Sequence, residues 1–485
     1  MNADALLLAF LLAPLAQAGI FAITARLPAV RDVASILSAL AYAALAAALT
    51  ATHMQGGSGY VVLAQPLPDA EIGFAPEPFG LTVALTLSVL GVLNASFVAG
   101  YLRAIGDAAP ARAQILNVAT LAAANAAALA SNLLTFLLCY EALAVAAFGL
   151  AVRGDASARR AAGLVLVILL GAAIGLLMPA MAWTHALAGR LDFVAGGLLA
   201  GRVEPGEADA LLLLFAFGLA GAAIAPAPIW LPLAMRARTP AAGAAFAVQI
   251  VSVGALGLLK ISHFIFGAAL DQAYYGRMAL LALAAGGGLL AALYALSKDE
   301  AKTRLGYLTI AHAALATAGA VLGSPLAVFA AAFQIVAHAV AKASLFFTIG
   351  AMQTVTGRTR FSEMAGLGRR MPWAFAGFAL AALSVSGLPP LAGAWSLLWL
   401  VAGAAEAGQG WAAALILITA LVSFAALCMP AARALFAPAP PYPFERPDAA
   451  SALLIAPVAV AVALSVALVL LIDPLSRFLG VRLAP

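Results

Sequence analysis

A succession of long apolar segments constrains this chain more than any other feature of its sequence. About fourteen segments, each close to 20 residues long and nearly free of charge, follow one another along the chain. Charged residues make up 9% of it, against about 25% in a soluble domain. Backbone groups in lipid must be satisfied within the spanning element, so segments of this length are predicted to be helices. The predicted fold is an all-α polytopic membrane protein with transmembrane helices near 4–25, 30–52, 79–102, 113–131, 132–152, 161–188, 209–229, 240–265, 276–297, 302–323, 325–350, 373–400, 411–435 and 452–474.

Basic residues fall almost entirely in alternate loops. The odd-numbered loops hold 18 lysines and arginines, whereas the even-numbered loops hold Arg190, Arg202 and Arg277. Because cytoplasmic loops carry the excess of positive charge, the odd loops are predicted to be cytoplasmic and both termini to face the periplasm or exterior. This predicts a multi-pass protein of a bacterial inner membrane. The basic residues are scattered singly, which gives no indication of nucleic-acid binding.

Two of the predicted helices carry proline breaks at matching places. Pro226 and Pro228 interrupt helix 7, Pro389 and Pro390 interrupt helix 12, and the first prolines of the two pairs are 163 residues apart. Five helices per unit is an odd number, so the two units are predicted to be inverted repeats. The predicted division is 1–112 for helices 1–3, 113–267 and 268–436 for the repeats, and 437–485 for the last helix. Broken helices in inverted repeats indicate an ion path near the midplane, the alternative being two kinks that only shape packing.

Lys342 lies deep in an apolar segment, one helical turn after His338. A lysine at mid-bilayer costs about 3 kcal/mol on insertion scales. Residues at i and i+4 share one helix face, where two basic groups disfavour simultaneous protonation. This pair suits a proton relay, against the alternative of a buried structural pair.

Other polar residues fall within or near predicted helices. Glu141 is a candidate functional carboxylate, because charged groups inside a membrane are costly; the alternative is a protonated acid bonded to a backbone carbonyl. Lys302 opens helix 10 and either takes part in the relay or snorkels to the interface. His312 either continues the relay or is a packing histidine. Lys260 and His263 end helix 8 and are predicted to be interfacial.

The sequence offers no sign of a cofactor or an active site of its own. Cys139 and Cys428 both lie in apolar segments and alone cannot hold a metal or an iron–sulfur cluster. No glycine-rich phosphate loop, nucleophile elbow or metal-ligand spacing is present. We therefore predict no cofactor and no metal.

Taken together, these residues resemble the antiporter-like membrane subunits of respiratory complex I, Mrp-type cation/proton antiporters and membrane-bound group 4 hydrogenases. The resemblance extends from about helix 3 to helix 13. Four segments carry it: Leu-Leu-Cys-Tyr-Glu141-Ala-Leu; Ile-Trp-Leu-Pro-Leu-Ala-Met-Arg-Ala-Arg-Thr-Pro240; the run from Glu300-Ala-Lys-Thr-Arg-Leu-Gly-Tyr to Ile-Ala-His312, with His338-Ala-Val-Ala-Lys342-Ala-Ser-Leu-Phe-Phe; and Met364-Ala-Gly-Leu-Gly-Arg-Arg-Met-Pro with Gly-Leu-Pro-Pro-Leu-Ala-Gly-Ala-Trp395.

The chain departs from the pattern of that family at three positions. The family typically has a lysine in helix 7 where this chain has Gly221, and a lysine or histidine in helix 8 where it has Ser252. A charged group of helix 12 is replaced by Leu397. Glu141 has thus lost the lysine partner that the resemblance implies, and the usual exit group of the second half-channel is absent.

Three functions are compatible with the sequence. The resemblance implies a subunit that translocates protons, or alternatively Na⁺, within a larger assembly that includes other membrane subunits and is driven by redox chemistry elsewhere. The relay would comprise Glu141, Lys302, His312, His338 and Lys342. A second possibility is a degenerate subunit that is only a scaffold, and a third is a membrane subunit that couples an ion gradient to a soluble partner, such as an inorganic-carbon accumulation enzyme.

Overall fold

The computed structural model describes residues 2–67, 70–224, 229–438 and 452–481, and this part of the chain is mostly helical. Its eighteen α-helices are α1 (Ala3–Ile23), α2 (Pro28–Met54), α3 (Pro78–Ala104), α4 (Pro110–Ala128), α5 (Leu133–Ala151), α6 (Ala156–Ala172), α7 (Met178–Ala188), α8 (Pro205–Gly218), α9 (Trp230–Ala234), α10 (Val251–Lys260), α11 (Tyr274–Leu296), α12 (Ala301–Leu322), α13 (Pro325–Thr356), α14 (Pro372–Val385), α15 (Ala392–Glu406), α16 (Gly410–Phe436), α17 (Ala452–Leu470) and α18 (Ile472–Phe478). Wider π-helical turns at Ala173–Leu177, Ala241–Ile250 and Ile261–Phe266 continue neighbouring helices.

In the described ranges, eleven helical segments are long and apolar enough to cross a membrane. They are α1, α2, α3, α5, Ala156–Ala188, Ala241–Asp271, α11, α12, α13, α16 and α17. The three other predicted spans correspond to helices that are shorter or less apolar than these eleven. Span 113–131 corresponds to the 19-residue α4, whose polar side chains lower its hydropathy, and spans 209–229 and 373–400 correspond to shorter helices. The protein is a mostly helical, multi-pass membrane protein.

A small antiparallel hairpin precedes α3. Strand β1 (Val61–Leu67) pairs with β2 (Ala70–Phe74), with Val61 opposite Phe74. The backbone N–H of Ala75 donates to the carbonyl of Leu129 at 2.9 Å, which ties the hairpin to the end of α4. The sequence analysis did not predict this hairpin.

The centre of the molecule is formed by Ala241–Asp271, α12 and α13, whose apolar windows are 94%, 94% and 89% buried. α13 begins after Ser324, whose hydroxyl accepts a hydrogen bond from the N–H of Ala327, as N-cap residues commonly do. It ends at Gly357, which has a φ of 68° and so adopts the left-handed conformation that favours glycine. α1 and α2 are peripheral, with 33% and 28% of their windows buried. The polar residues of α12 and α13 therefore lie in the most enclosed part of the fold.

The structure describes one of the two predicted helix breaks completely and the other only in part. α14 ends at Val385 and α15 begins at Ala392, with Pro389 and Pro390 between them. α8 ends at Gly218, a 3₁₀ turn follows at Ala220–Ala222, and α9 begins at Trp230. Pro226 and Pro228 lie outside the described residues.

Candidate functional site

Lys342 is completely buried in the middle of α13. Its ammonium nitrogen donates to the carbonyl of Leu305 on α12 at 3.3 Å. No ion pair joins Lys342 to a carboxylate within the described residues. A buried lysine held by one backbone carbonyl is costly to keep charged.

His338 and His312 face each other across the α12–α13 contact. Their ring centroids are 6.1 Å apart, with an interplanar angle of 25°. His312 Nε2 is 3.2 Å from the hydroxyl of Ser423 on α16. Both His338 ring nitrogens are buried without a hydrogen-bond partner of standard geometry in the described chain; the backbone of Ala247 is also close to this ring. We call His312, His338 and Lys342 the relay group, after the role that the sequence analysis predicts for them.

A small cavity adjoins the two histidines at the break between α14 and α15. His312, Gln334, His338, Ser384 and Leu397 are among its lining residues, and about 10 Å³ is open to the centre of a water molecule. That volume suffices for about one water. We call it the helix-break cavity. A water there has polar partners on α12, α13 and α14.

Further buried hydroxyl and amide groups bond to the residues that line this cavity. Gln334 Nε2 donates to the carbonyl of His312 at 3.3 Å, and the hydroxyl of Ser396 donates to Gln334 Oε1. The Ser384 and Ser465 hydroxyls are 3.1 Å apart. The apolar Leu397 therefore lies beside polar groups that carry no charge.

Lys302 lies near the start of α12, on the turn before Leu305. It is half-buried, and its ammonium donates to the carbonyl of Ala237 at 2.7 Å. Ten residues separate it from His312 on one helix, which corresponds to about 15 Å. The structure thus brings His312, His338 and Lys342 together and places Lys302 at one end of the same pair of helices.

Glu141 lies apart from the relay group, on an outward-facing side of α5. It is half-buried, and Leu138 and Val145, which share its face, are 40% and 51% exposed. The adjacent Tyr140 points inward, and its hydroxyl accepts from the N–H of Gly221 at 2.6 Å. The position at which the resemblance implies a lysine therefore contacts Tyr140.

The structure contradicts the prediction that Lys260 is interfacial. Its side chain is completely buried, and its ammonium donates to the carbonyls of Ala128 at 3.2 Å and Ala130 at 2.9 Å. Glu77 Oε1 is 3.4 Å away, and the ring of Phe193 lies under the ammonium at 4.4 Å. The apolar residues that flank Lys260 in the sequence were the signal that could have predicted its burial. The neighbouring His263 is exposed at the protein surface.

The loop that precedes Lys302 is held by polar contacts outside the membrane spans. The hydroxyl of Ser362 donates to Asp299 Oδ2 at 2.6 Å, and the backbone N–H of Ser362 donates to Oδ1 at 2.9 Å. These hydrogen bonds hold the pKa of Asp299 below its usual value. Glu300 caps α12 by accepting from the N–H of Thr303 at 2.5 Å. Among the described residues, no group of three or more His, Cys, Asp or Glu side chains could hold a metal.

A family model described as "NADH:quinone oxidoreductase/Mrp antiporter, TM" matches residues 130–423. The chain belongs to this family. The match covers more than half of the sequence and contains the relay group, Lys302 and Glu141. The resemblance inferred from the sequence motifs is thereby confirmed.

Two curated proteins and one solved structure illustrate what this chain is similar to. NADH-quinone oxidoreductase subunit N of Desulforudis audaxviator is 30% identical over 60% of this chain and 58% of its own length. Hydrogenase-4 component B of Escherichia coli is 27% identical over 68% of this chain and 50% of its own length. The chain thus spans little more than half the length of these curated relatives. A chain of the Mrp complex from a Dietzia species has the same fold, with a TM-score of 0.85, 19% identity and coverage of 99% of this chain and 96% of that one.

Proposed function

We propose that this protein is an ion-translocating membrane subunit that carries protons through the relay group. The observation that supports this most directly is Lys342, a fully buried lysine bonded to one carbonyl and next to two facing histidines. Intramembrane ionisable residues commonly mark ion pathways. A structural lysine would be expected to have more of its donors satisfied, as Lys260 has.

The proposed path follows α12 and α13. Lys302 is the loading group at the cytoplasmic end, and Lys342, beside Leu305, receives the proton next. His338 and His312 pass it to a water in the helix-break cavity, which both residues line. From that cavity the neutral hydroxyl and amide groups lead outward, in place of the charged exit group that is absent at Leu397.

The proposed topology has fourteen membrane spans, with α8–α9 and α14–α15 each counted as one broken span. Residues 113–267 and 268–436 form two inverted five-helix repeats, preceded by 1–112 and followed by 437–485. The alternation of basic loops supports a bacterial inner membrane location with both termini outside. In this topology the helix-break cavity lies near the bilayer midplane.

We further propose that the chain works within a complex of several membrane subunits. The names of its relatives include a subunit of a quinone oxidoreductase and a component of a hydrogenase, which suggests coupling to redox chemistry performed by other subunits. Glu141 supports a membrane partner, because a carboxylate on an outward face needs a polar neighbour in lipid. Glu141 is then an interface group of the path rather than a member of the relay group.

The test is proton flux in vesicles that contain the chain with its copurified partners. Lys342→Ala is expected to abolish flux with assembly intact, because removing a buried charge relieves an insertion cost. Lys342→Arg should fail equally, since a guanidinium does not deprotonate in this range. Lys298→Ala, a loop lysine, is the matched control and should retain flux.

The same experiment separates the proposal from its alternative. Unchanged flux in the intact Lys342→Ala complex would favour a scaffolding subunit, an alternative that the Tyr140–Gly221 contact supports for the first repeat. Replacing the proton gradient by a Na⁺ gradient in the same vesicles identifies the transported ion.

A further inference from the structure

The connection between α9 and the π-helical turns of Ala241–Ile250 contacts Lys302 at the start of α12. We call residues 235–240 the connecting segment. The carbonyl of Ala237 in this segment accepts from the Lys302 ammonium at 2.7 Å. No carboxylate of the described residues forms an ion pair with Lys302. The position of one backbone carbonyl therefore contributes directly to how well the protonated form of Lys302 is stabilised.

A buried ion pair holds the connecting segment one residue away from this carbonyl. Arg238 follows Ala237 directly, and its guanidinium donates to Asp107 Oδ2. Arg153 donates to Asp107 Oδ1 at 2.5 Å, and the Asp107 side chain is 2% exposed. Asp107 lies in the turn between α3 and α4. Because hydrogen bonds between charged groups are about twice as strong as neutral ones, this carboxylate fixes the part of the segment that carries the carbonyl.

Neutral hydrogen bonds hold the connecting segment at other points. Thr239 Oγ1 donates to Gln353 Oε1 on α13 at 2.7 Å. The backbone N–H of Ala237 donates to the carbonyl of the last residue of α9 at 3.1 Å. Within the described residues, the pair of Arg238 and Asp107 is the only ion pair of the segment. A change of charge at Asp107 therefore acts on the segment through this one contact.

We propose that Asp107 is a positioning residue for proton loading at Lys302. Through Arg238 it holds the Ala237 carbonyl in the place where that carbonyl accepts from the ammonium. Loss of the carboxylate would leave Arg153 and Arg238 without their shared anion, and their mutual repulsion would displace the segment. Lys302 would then lose its acceptor and hold its proton less firmly. The inference rests on the proposed role of Lys302 as the loading group.

Two acidic residues, Glu300 and Asp155, also act on the charge of Lys302. Glu300 caps α12 and Asp155 caps α6, each by accepting from a backbone N–H of its own helix. Their capping hydrogen bonds keep both carboxylates in place when Asp107 is changed. The effect of such a change on Lys302 is therefore attributable to the connecting segment.

The experiment measures two properties of the intact complex: the acetylation of Lys302 by acetic anhydride, read by mass spectrometry, and proton flux against the pH of the loading side. Asp107→Asn should raise the acetylation rate about tenfold, because one hydrogen bond to a charged group is worth about that factor. For the same reason the pH of half-maximal flux should fall by about one unit. Asp107→Glu keeps the carboxylate and should restore both properties toward wild type. The chain has four lysines, and the loop residue Lys298 serves as the internal reference for acetylation.

Asp32→Asn is the matched control. Asp32 is also a buried aspartate that accepts from two arginines, Arg31 at 3.1 Å and Arg103 at 2.6 Å, but it belongs to α2. Its loss should leave the acetylation of the loading lysine and the flux midpoint at their wild-type values, even where it lowers the melting temperature. Because Asp107 and Arg238 act as a unit, Asp107→Asn combined with Arg238→Gln should raise acetylation no further than Asp107→Asn alone.

Two results would overturn the proposal. One is wild-type acetylation of Lys302 together with a wild-type flux midpoint in Asp107→Asn. The other is an equal change in Asp107→Asn and Asp32→Asn, which would indicate a general loosening of the fold. Unchanged flux in Lys342→Ala would overturn the proton relay and leave the acetylation measurement unaffected, so the two failures are distinguishable.

Discussion

The buried lysine of α10 gives the sharpest prediction about stability. Lys260→Met removes the charge and keeps the length of the side chain. The change deprives the carbonyls of Ala128 and Ala130 and the carboxylate of Glu77 of one shared donor. Removing one partner of a buried ion pair typically costs about 3–5 kcal/mol.

The lower end of that range applies here. Glu77 is 19% exposed and keeps two hydrogen bonds as the cap of α3, from the N–H groups of Phe79 at 2.7 Å and Gly80 at 2.6 Å. Its charge is therefore only partly uncompensated after the substitution. We expect Lys260→Met to lower the free energy of unfolding by about 3 kcal/mol.

The assay is reversible unfolding in detergent, compared with Lys298→Met, a loop lysine that should lose less than about 1 kcal/mol. The double variant Lys260→Met with Glu77→Gln should recover part of the loss, because no carboxylate is then left unpaired. A loss below about 1 kcal/mol for Lys260→Met would refute the structural role. Abolished proton flux at unchanged stability would instead place Lys260 on an ion path.

Two further predictions concern carboxylates away from the relay group. Glu141→Gln should change proton flux or assembly only modestly, by about threefold or less, because no described cation pairs with it; a large loss of flux in an intact complex would reveal a cationic partner on another subunit. Ser362→Ala should raise the pKa of Asp299 toward its usual value of about 3.9. Since the folded pKa of Asp299 is lowered, its stabilisation is full above that usual value and is lost as the pH falls through the folded value. The melting temperatures of Ser362→Ala and wild type should therefore differ at pH 6 and converge in strong acid, and a constant difference would contradict this reasoning.

The fold could be predicted from the sequence wherever a local pattern determines the element. Length and hydropathy located the eleven long apolar spans, and Gly-Leu-Pro-Pro located the gap between α14 and α15. α4 falls short of those spans in hydropathy because it carries Gln114, Asn117 and Asn125, which face buried polar groups in the fold. The hairpin of β1 and β2 escaped prediction because its short strands carry little periodic signal.

The candidate site was predictable only in part, because its geometry depends on contacts between helices. The spacing of four residues correctly indicated that His338 and Lys342 are neighbours on one helix. The facing of His338 and His312 follows from the antiparallel packing of α12 and α13, which no local pattern encodes. Lys260 was wrongly predicted to be interfacial because that prediction used only its position near the end of one helix. Its burial depends on contacts with Ala128, Ala130, Phe193 and Glu77, which are distant in sequence.

The close packing around Gly221 argues that any path past this residue is closed by backbone contact rather than by the loss of one charge. A Cβ at Gly221 would lie 2.6 Å from the hydroxyl of Tyr140 and 2.8 Å from the backbone oxygen of Ile250, and a Cβ at Gly254 would collide with the backbone of Gly221. Overpacking of this kind costs about 1–3 kcal/mol, so we expect Gly221→Ala to destabilise the protein by that amount. Gly221→Lys should fail to raise proton flux, and Tyr140→Phe should not rescue it, because the oxygen of Ile250 belongs to the main chain. Wild-type stability of Gly221→Lys together with increased flux would show that an open path passes this residue and lacks only a titratable group.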